Sequence, residues 1–284
     1  KAWGVEHLTP AQRLMKVLDA GCDQFGGEEC VELLVDLVRS GHVSEQRIDA
    51  SARRLLELKF TLGLFDDPYV DEDAAERIVG SPEHEAAGFR AQAASVTILQ
   101  NGNADGPGLL PLAADGRGRR IYVEGMSVHA ASALGVVVDR PEDADLAVVR
   151  LPGPYEPRDD LLFESLFHQG SLEYRPGLLA RLRRIASVTT LVVDAGLERP
   201  AILSPLLSIA QVLVGTYGAS DDALVAALTG RVPPRGRLPF EIPRSMDAVR
   251  SSREDVPSDT GDPVFPVHHG LDLAGAMATV SQRG

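Results

Sequence analysis

One segment, residues 155–174 (YEPRDDLLFESLFHQGSLEY), combines several aromatic rings, carboxylates and a histidine that could do chemistry together. It holds four aromatic residues, although the whole chain has only 8 Phe, 5 Tyr and 1 Trp. It also contains one histidine and five carboxylates: His168, Glu156, Asp159, Asp160, Glu164 and Glu173. Aromatic rings stack on the C–H faces of sugars, and carboxylates bind hydroxyls or transfer protons. By composition alone the segment fits a solvated acidic loop whose aromatic rings fold into the core, and a carbohydrate site is the alternative.

Short apolar runs rich in β-branched residues predict the strands that position this segment. They recur at residues 96–99, 121–123, 146–149, 191–193 and 212–214, with helical patterns at 82–93, 127–134, 176–186 and 221–228. This alternation predicts a mostly parallel sheet covered on both faces. Residues 155–174 follow the third strand closely. In open parallel sheets, ligands bind at the carboxyl ends of the strands.

The first sixty residues have a different pattern. Helices are predicted over residues 11–20 and 28–39 and, after a Ser44 cap, up to Gly63, with a short strand at 21–25. Helix, strand, helix, helix is the pattern of the end of a (β/α)8 barrel, whereas a whole barrel needs roughly 200 residues or more. Residues 63–80 are acidic and predict an irregular linker.

Composition excludes several classes of function. The net charge of −13 argues against nucleic-acid binding, and no apolar run approaches the length of a membrane span. The turn after residues 121–123 lacks the glycines of a dinucleotide fingerprint, and residues 102–108 lack the lysine of a phosphate loop. His268 and His269 are adjacent, so on an extended chain their rings point apart and cannot form a metal pair. We expect no cofactor.

Spaced motifs along the chain resemble family 3 glycoside hydrolases. They are AWGVE at 2–6, RRLLELKFTLGLF at 53–65, ASVTILQN at 94–101, LPL at 110–112, GRLPFEIP at 236–243 and PVHHGL at 266–271. The resemblance implies three parts: residues 1–62 as the truncated end of a (β/α)8 barrel, 63–80 as a linker, and 81–284 as an α/β sandwich with a mostly parallel sheet.

The same resemblance implies retaining, exo-acting hydrolysis of terminal β-linked sugars, as in β-glucosidases, without a cofactor. In that family an Asp nucleophile lies in a Ser-Asp motif shortly before the AWGVE-like run. Only Lys1 precedes that run here, and Ser258-Asp259 lies in a Pro-rich tail. We therefore expect the missing N-terminal barrel portion to supply the nucleophile, and the isolated chain to be inactive.

The resemblance also implies an acid/base glutamate in the second domain. Glu164 is our first choice, because its distance from Leu172 is close to that of the family's acid, and because Phe163 and Phe167 could raise its pKa by desolvation. The family's GxDR residues are absent here. Glu156 is the runner-up, although Arg158 nearby would lower its pKa, the wrong direction for a general acid.

Five residues are predicted to contact an oligosaccharide or β-glucoside substrate: Trp3, Tyr155, Arg158, Phe167 and His168. A β-xylosidase or β-N-acetylglucosaminidase of the same family is an alternative, as is a non-catalytic carbohydrate-binding module. The sequence leaves the sugar, the oligomeric state and the compartment, cytoplasmic or secreted, open.

Overall fold

The computed structural model describes residues 5–26, 29–103, 108–113, 118–158, 164–253 and 255–273, with the side chain of Glu164 excepted. The chain divides into two compact units, Lys1–Val79 and Gly80–Gly284.

The first unit consists of helices in its described part. They are α1 (Pro10–Asp19), α2 (Val31–Arg39), α3 (Glu45–Thr61) and α4 (Glu72–Ile78). Thr9 begins α1 with a capping box, in which its hydroxyl accepts from the Gln12 N–H and the Gln12 side chain accepts from the Thr9 N–H. The predicted Ser44 cap also forms: the Arg47 backbone N–H donates to the Ser44 hydroxyl at 3.2 Å. A small apolar core lies between the first helices: Leu14, Leu18, Leu37 and Val43.

The strand predicted at residues 21–25 is wrong. No strand forms among the described residues of this unit, so the segment has no ladder to join. Asp23 instead accepts hydrogen bonds from Ser51 Oγ at 2.7 Å and Arg54 Nη1 at 2.8 Å, both on α3. Both bonds lower the pKa of the Asp23 carboxyl, and the bond from Ser51 has the larger effect. The assignment of this unit to the end of a barrel stays a prediction.

Residues 63–80 were predicted to be an irregular linker, but part of this segment is helical. It contains α4, whose first turn is capped by Asp71 Oδ1 accepting from the Ala74 N–H at 2.9 Å. The acidic residues that suggested a solvated linker include Glu72 and Asp73, which lie in the first turn of α4 and complement its N-terminal dipole.

The second unit alternates strands and helices. Its helices are α5 (Pro82–Ser95), α6 (Val128–Ala131), α7 (Pro176–Ala186), α8 (Asp221–Leu228) and α9 (Met246–Ser251). Its strands are β1 (Thr97–Asn101), β2 (Arg120–Glu124), β3 (Val136–Val137), β4 (Leu146–Leu151), β5 (Thr190–Gly196) and β6 (Val212–Thr216). Short 3-10 turns occur at Pro141–Asp143, Glu164–Leu166 and Ser204–Leu206.

The six strands form one mixed sheet in the order β1-β6-β5-β4-β2-β3. Only β1, at one edge, runs antiparallel to its neighbour, so the predicted mostly parallel sheet is confirmed. The central strands are buried on both faces, as their continuous apolar sequences require. Leu182 and Ile185 of α7 pack on one face, and Leu224 and Val225 of α8 pack on the other.

The two C-terminal motifs pack against β1. Leu271 pairs with Ile98, and the Leu238 N–H donates to the His269 carbonyl at 2.9 Å. The His269 ring lies 3.0 Å from the Leu99 carbonyl through Nε2 and stacks on Phe265, so it serves packing.

Candidate functional site

A cleft of about 650 Å³ opens at the carboxyl ends of β4, β5 and β6, where open parallel sheets bind ligands. Polar side chains from all three strands and their loops line it, among them Arg150, His168, Asp194, Glu198, Thr216 and Tyr217. The acidic segment 155–174 leaves β4 beside this cleft, since residues 150–153 and His168 both belong to its walls. The cleft is therefore the candidate site.

The inner wall of the cleft is an ion cluster centred on Arg150. Its guanidinium donates to Asp194 Oδ2 at 2.8 Å, to Asp221 Oδ1 at 2.5 Å and to the Ala219 carbonyl at 2.9 Å. Thr216 Oγ1 donates to Asp194 Oδ2 at 3.1 Å. These bonds join β4, β5, β6 and the start of α8, and they hold the guanidinium in one position.

The two carboxylates of this cluster have pKa values shifted in opposite directions. Burial raises the pKa of Asp194 against the opposing effect of Arg150, and the side chain is almost fully buried. The pKa of Asp221 is lowered: burial pushes it upward, but hydrogen bonds from the Ser127 N–H and Arg150 outweigh that effect. Arg150 forms an ion pair with each carboxylate, and it is the charged partner that they share.

The ends of the acidic segment are held together beside the cleft. The Tyr155 ring stacks on the His168 ring, with centroids 3.9 Å apart and planes at 11°. The Glu156 N–H donates to the Gln169 carbonyl at 2.8 Å. His168 Nδ1 is hydrogen-bonded to Glu198 Oε1, and Arg199 Nη2 donates to the Gly170 carbonyl at 2.7 Å.

The structure brings some of the predicted site residues together. Tyr155 and His168 are in contact. Glu156, which follows Tyr155 in the chain, is exposed. Arg158 is half-buried. Phe167 is 53% exposed, so its ring does not fold into the core. Tyr174, by contrast, is buried in the core.

Two predicted residues cannot be compared with the structure. Trp3 lies outside the described residues. Glu164 begins the 3-10 turn Glu164–Leu166, but its side chain lies outside the described part.

Sequence reasoning missed Glu198, Arg199 and the Arg150 cluster. Glu198 comes two residues after the end of β5, so the rule that sites form at carboxyl ends of strands would have found it. Asp194 interrupts the apolar run TLVVDAG of β5, and a charged residue in a buried strand is a signal of its own.

The arrangement suits the binding of hydroxyl groups and the transfer of protons. Carboxylates and a histidine stand at a cleft mouth beside exposed aromatic rings, Tyr155 and Phe167. Within the described ranges, no three His, Cys, Asp or Glu side chains gather closely enough to hold a metal ion. No helix of the described residues has the length and apolar character to cross a membrane.

Curated relatives match almost the whole chain. Beta-glucosidase C of Emericella nidulans is 46% identical over 273 residues, which are 96% of this chain and 43% of that protein. Probable beta-glucosidase C of Aspergillus oryzae is 44% identical over all of this chain and 44% of its own length. Periplasmic beta-glucosidase/beta-xylosidase of Dickeya chrysanthemi is 42% identical over 95% of this chain and 40% of its own. The chain thus spans less than half the length of these relatives.

Solved structures share the fold. A beta-glucosidase from Listeria innocua in complex with isofagomine superposes with a TM-score of 0.64 over 94% of this chain and 46% of that one, at 18% identity. A mutant of the same enzyme, in complex with laminaribiose, gives a TM-score of 0.61 over 95% of this chain and 46% of that one, also at 18% identity. No protein-family profile matches the chain. The long alignments make the chain a homologue of β-glucosidases, and with the shared α/β fold they agree with its resemblance to the C-terminal part of family 3 glycoside hydrolases.

Proposed function

We propose that this chain is the acid/base-bearing part of a retaining, exo-acting β-glucosidase that releases terminal β-linked glucose. The observation that carries the proposal is the 46% identity to a β-glucosidase across 96% of the chain. The nucleophile, an Asp, belongs in this proposal to a (β/α)8 barrel outside the chain, of which residues 1–62 are the end. The α/β sandwich of residues 81–284 carries the acid.

The proposed reaction uses two carboxyl groups in turn. The acid on residues 155–174 protonates the glycosidic oxygen as the barrel's Asp attacks the anomeric carbon, which gives a covalent glycosyl-enzyme and a free alcohol. The same residue, now a carboxylate, takes a proton from water as the water attacks the anomeric carbon. Glucose leaves with its β configuration retained, and both carboxyl groups return to their first state.

Glu164 remains our first choice for the acid and Glu156 the runner-up. Both residues follow β4 on the segment that borders the cleft. Glu156 is exposed to solvent. We propose that Tyr155, Arg158, Phe167, His168 and Trp3 contact the substrate, with the aromatic rings facing its C–H surfaces.

The test uses the full-length enzyme and two substrates that differ in their leaving groups. For Glu164→Ala we expect kcat/KM to fall by about 10²- to 10⁴-fold on an alkyl β-glucoside, whose leaving group needs protonation, and by far less on a dinitrophenyl β-glucoside. Glu156→Ala should show the smaller effect on both. Glu142→Ala, which removes an exposed carboxylate at the Pro141–Asp143 turn, is the control.

The outcome decides between the candidates. The leaving-group dependence in Glu156→Ala instead of Glu164→Ala would assign the acid to Glu156. Full activity of both variants on the alkyl substrate would remove the acid from this segment and leave a carbohydrate-binding role.

β-Xylosidase activity is the second candidate, because the 42% identical relative from Dickeya chrysanthemi carries both names. A β-N-acetylglucosaminidase is a weaker one, supported by a 25% identical relative from Cellulomonas fimi. Comparing kcat/KM for the nitrophenyl β-glucoside, β-xyloside and β-N-acetylglucosaminide separates the three. Our proposal requires the glucoside to be the best substrate.

A further inference from the structure

We propose that Glu198 and Arg199 are positioning residues, which clamp the two ends of the acidic segment and so place the general acid. We call the clamped ends, Tyr155-Glu156 and His168–Gly170, the loop neck. This inference rests on the proposed function, because it concerns the same proton transfer.

The loop neck is closed by contacts between its own two sides. The Glu156 N–H donates to the Gln169 carbonyl at 2.8 Å, and the Tyr155 ring lies flat on the His168 ring at 3.9 Å. Both candidate acids depend on this closure. Glu156 is part of the neck, and Glu164 lies in the chain between its two sides.

Glu198 holds one side of the neck against the sheet. Its Oε1 is hydrogen-bonded to His168 Nδ1. The same oxygen lies so close to Gly153 that a methyl group there would stand 3.1 Å from it. Glu198 therefore contacts both the chain leaving β4 and the chain returning from the segment.

Arg199 holds the next residues of the same side. Its Nη2 donates to the Gly170 carbonyl at 2.7 Å. Gly170 has a φ of +77°, and a methyl group on it would lie 2.7 Å from Cβ of Glu156. The side chain of Glu156 thus lies directly over the residue that Arg199 holds.

The clamp is attached to a rigid support. Glu198 and Arg199 follow Gly196, the last residue of β5, and the Leu197 N–H donates to the Thr216 carbonyl of β6 at 2.7 Å. Strand β5 is paired on both sides and its central residues are buried. A clamp two residues from such a strand can fix the loop neck, whose described residues form no strand.

The clamp's effect is geometric because its contribution to stability is small. The side chains of His168 and Glu198 are 41% and 50% exposed, and polar contacts between side chains this exposed contribute little to stability. A displacement of about 1 Å at a reacting group, however, can cost roughly 100-fold in rate. Loss of the clamp should therefore reduce proton transfer far more than it reduces stability.

The experiment measures kcat/KM of Glu198→Ala in the full-length enzyme on the alkyl and dinitrophenyl β-glucosides. We expect a loss of about 10- to 100-fold on the alkyl substrate and less than about 3-fold on the dinitrophenyl substrate. Glu198→Gln keeps an acceptor oxygen for His168 and should recover most of the lost activity. Asp262→Ala, which breaks the exposed pair with Arg244, is the matched control and should leave both substrates unchanged.

Arg199→Ala tests the second contact, and it should repeat the preference for the good leaving group. Equal losses on the two substrates in both clamp variants would overturn the proposal, since they would indicate a general structural or binding role. Unchanged activity in both would overturn it as well. The proposed function fails separately, if the unmodified enzyme does not hydrolyse β-glucosides or if neither Glu164→Ala nor Glu156→Ala depends on the leaving group.

Discussion

At the scale of single residues, Tyr174 shows how the acidic segment returns to the core. Its ring is 7% exposed and packs among the apolar side chains on the α7 face of the sheet. Its hydroxyl has no hydrogen-bond partner among the described residues. Burial, and to a lesser degree the charge of Asp194, raises the pKa of the Tyr174 hydroxyl.

Tyr174→Phe should keep or raise stability, by up to about 1 kcal/mol, because it removes a buried polar group at little cost in packing. A raised pKa in the folded state means that stability is complete below the unfolded value of about 10 and falls as the pH rises above it. The denaturant concentration at the unfolding midpoint should therefore decrease less between pH 8 and pH 11 in Tyr174→Phe than in the unmodified protein. A variant that loses more than about 1 kcal/mol at pH 8 would contradict this.

The residue scale also shows what local sequence could reveal. The type and spacing of residues 155–174 identified an unusual segment, but not the stacking of Tyr155 on His168 within it. The pairing of His168 with Glu198 could not be predicted, because the two are 30 positions apart and meet only through the adjacency of β4 and β5.

At the scale of elements, the Arg150 cluster is the joint between the sheet and its helices. It links β4 to Asp194 of β5 and to Asp221 of α8, and Asp221 Oδ2 also accepts from the Ser127 N–H before α6 at 2.8 Å. The side chain of Asp194 is 2% exposed, so its charge depends on Arg150.

Arg150→Met should destabilise the second unit by about 3–5 kcal/mol at neutral pH, because it leaves a buried carboxylate without its partner. The pKa of Asp194 is already raised, so its contribution to stability is complete at low pH and is lost as the pH rises through that pKa. The deficit of the variant should therefore shrink on acidification. The control, Arg244→Met, breaks an exposed pair and should cost less than about 1 kcal/mol. Equal losses in the two variants, measured by chemical denaturation, would contradict the role given to Arg150.

The elements differ in how well the sequence predicted them. Helices α7 and α8 were predicted with their observed bounds. Helix α7 has an apolar stripe and begins at Pro176, whereas α8 follows the Ser220 cap and is apolar and buried from Ala223 to its end. Strand β3 was missed because two residues are too short for a periodic pattern. The strand predicted at 21–25 was wrong because a short segment forms a strand only where a pairing partner lies beside it, and the described residues of the first unit contain none.

At the scale of the whole molecule, the chain corresponds to less than half of the β-glucosidases that it matches. It covers 43% of the Emericella nidulans relative and 46% of the superposed Listeria innocua structure. The chain contains the mixed sheet and the cleft at the carboxyl ends of its strands. In our proposal the nucleophile belongs to a barrel outside the chain. The sequence anticipated the sandwich because strand and helix patterns are local, whereas a barrel requires closure by strands that are far apart in sequence.

The isolated 284-residue chain should not hydrolyse an aryl β-glucoside, because an acid without its nucleophile cannot form the glycosyl-enzyme. The measurement is release of nitrophenol at high protein concentration, with the full-length enzyme as the positive control. Turnover by the chain alone, abolished by Glu164→Ala, would show that it holds both groups.

The most direct test of the central claim is chemical rescue of the full-length enzyme by azide. An acid/base variant leaves room for azide, which attacks the glycosyl-enzyme without needing a base and gives β-glucosyl azide. We predict this product, identified by NMR with its β configuration, from the dinitrophenyl β-glucoside in Glu164→Ala. If neither Glu164→Ala nor Glu156→Ala yields β-glucosyl azide or gains activity with azide, residues 155–174 do not carry the acid/base group.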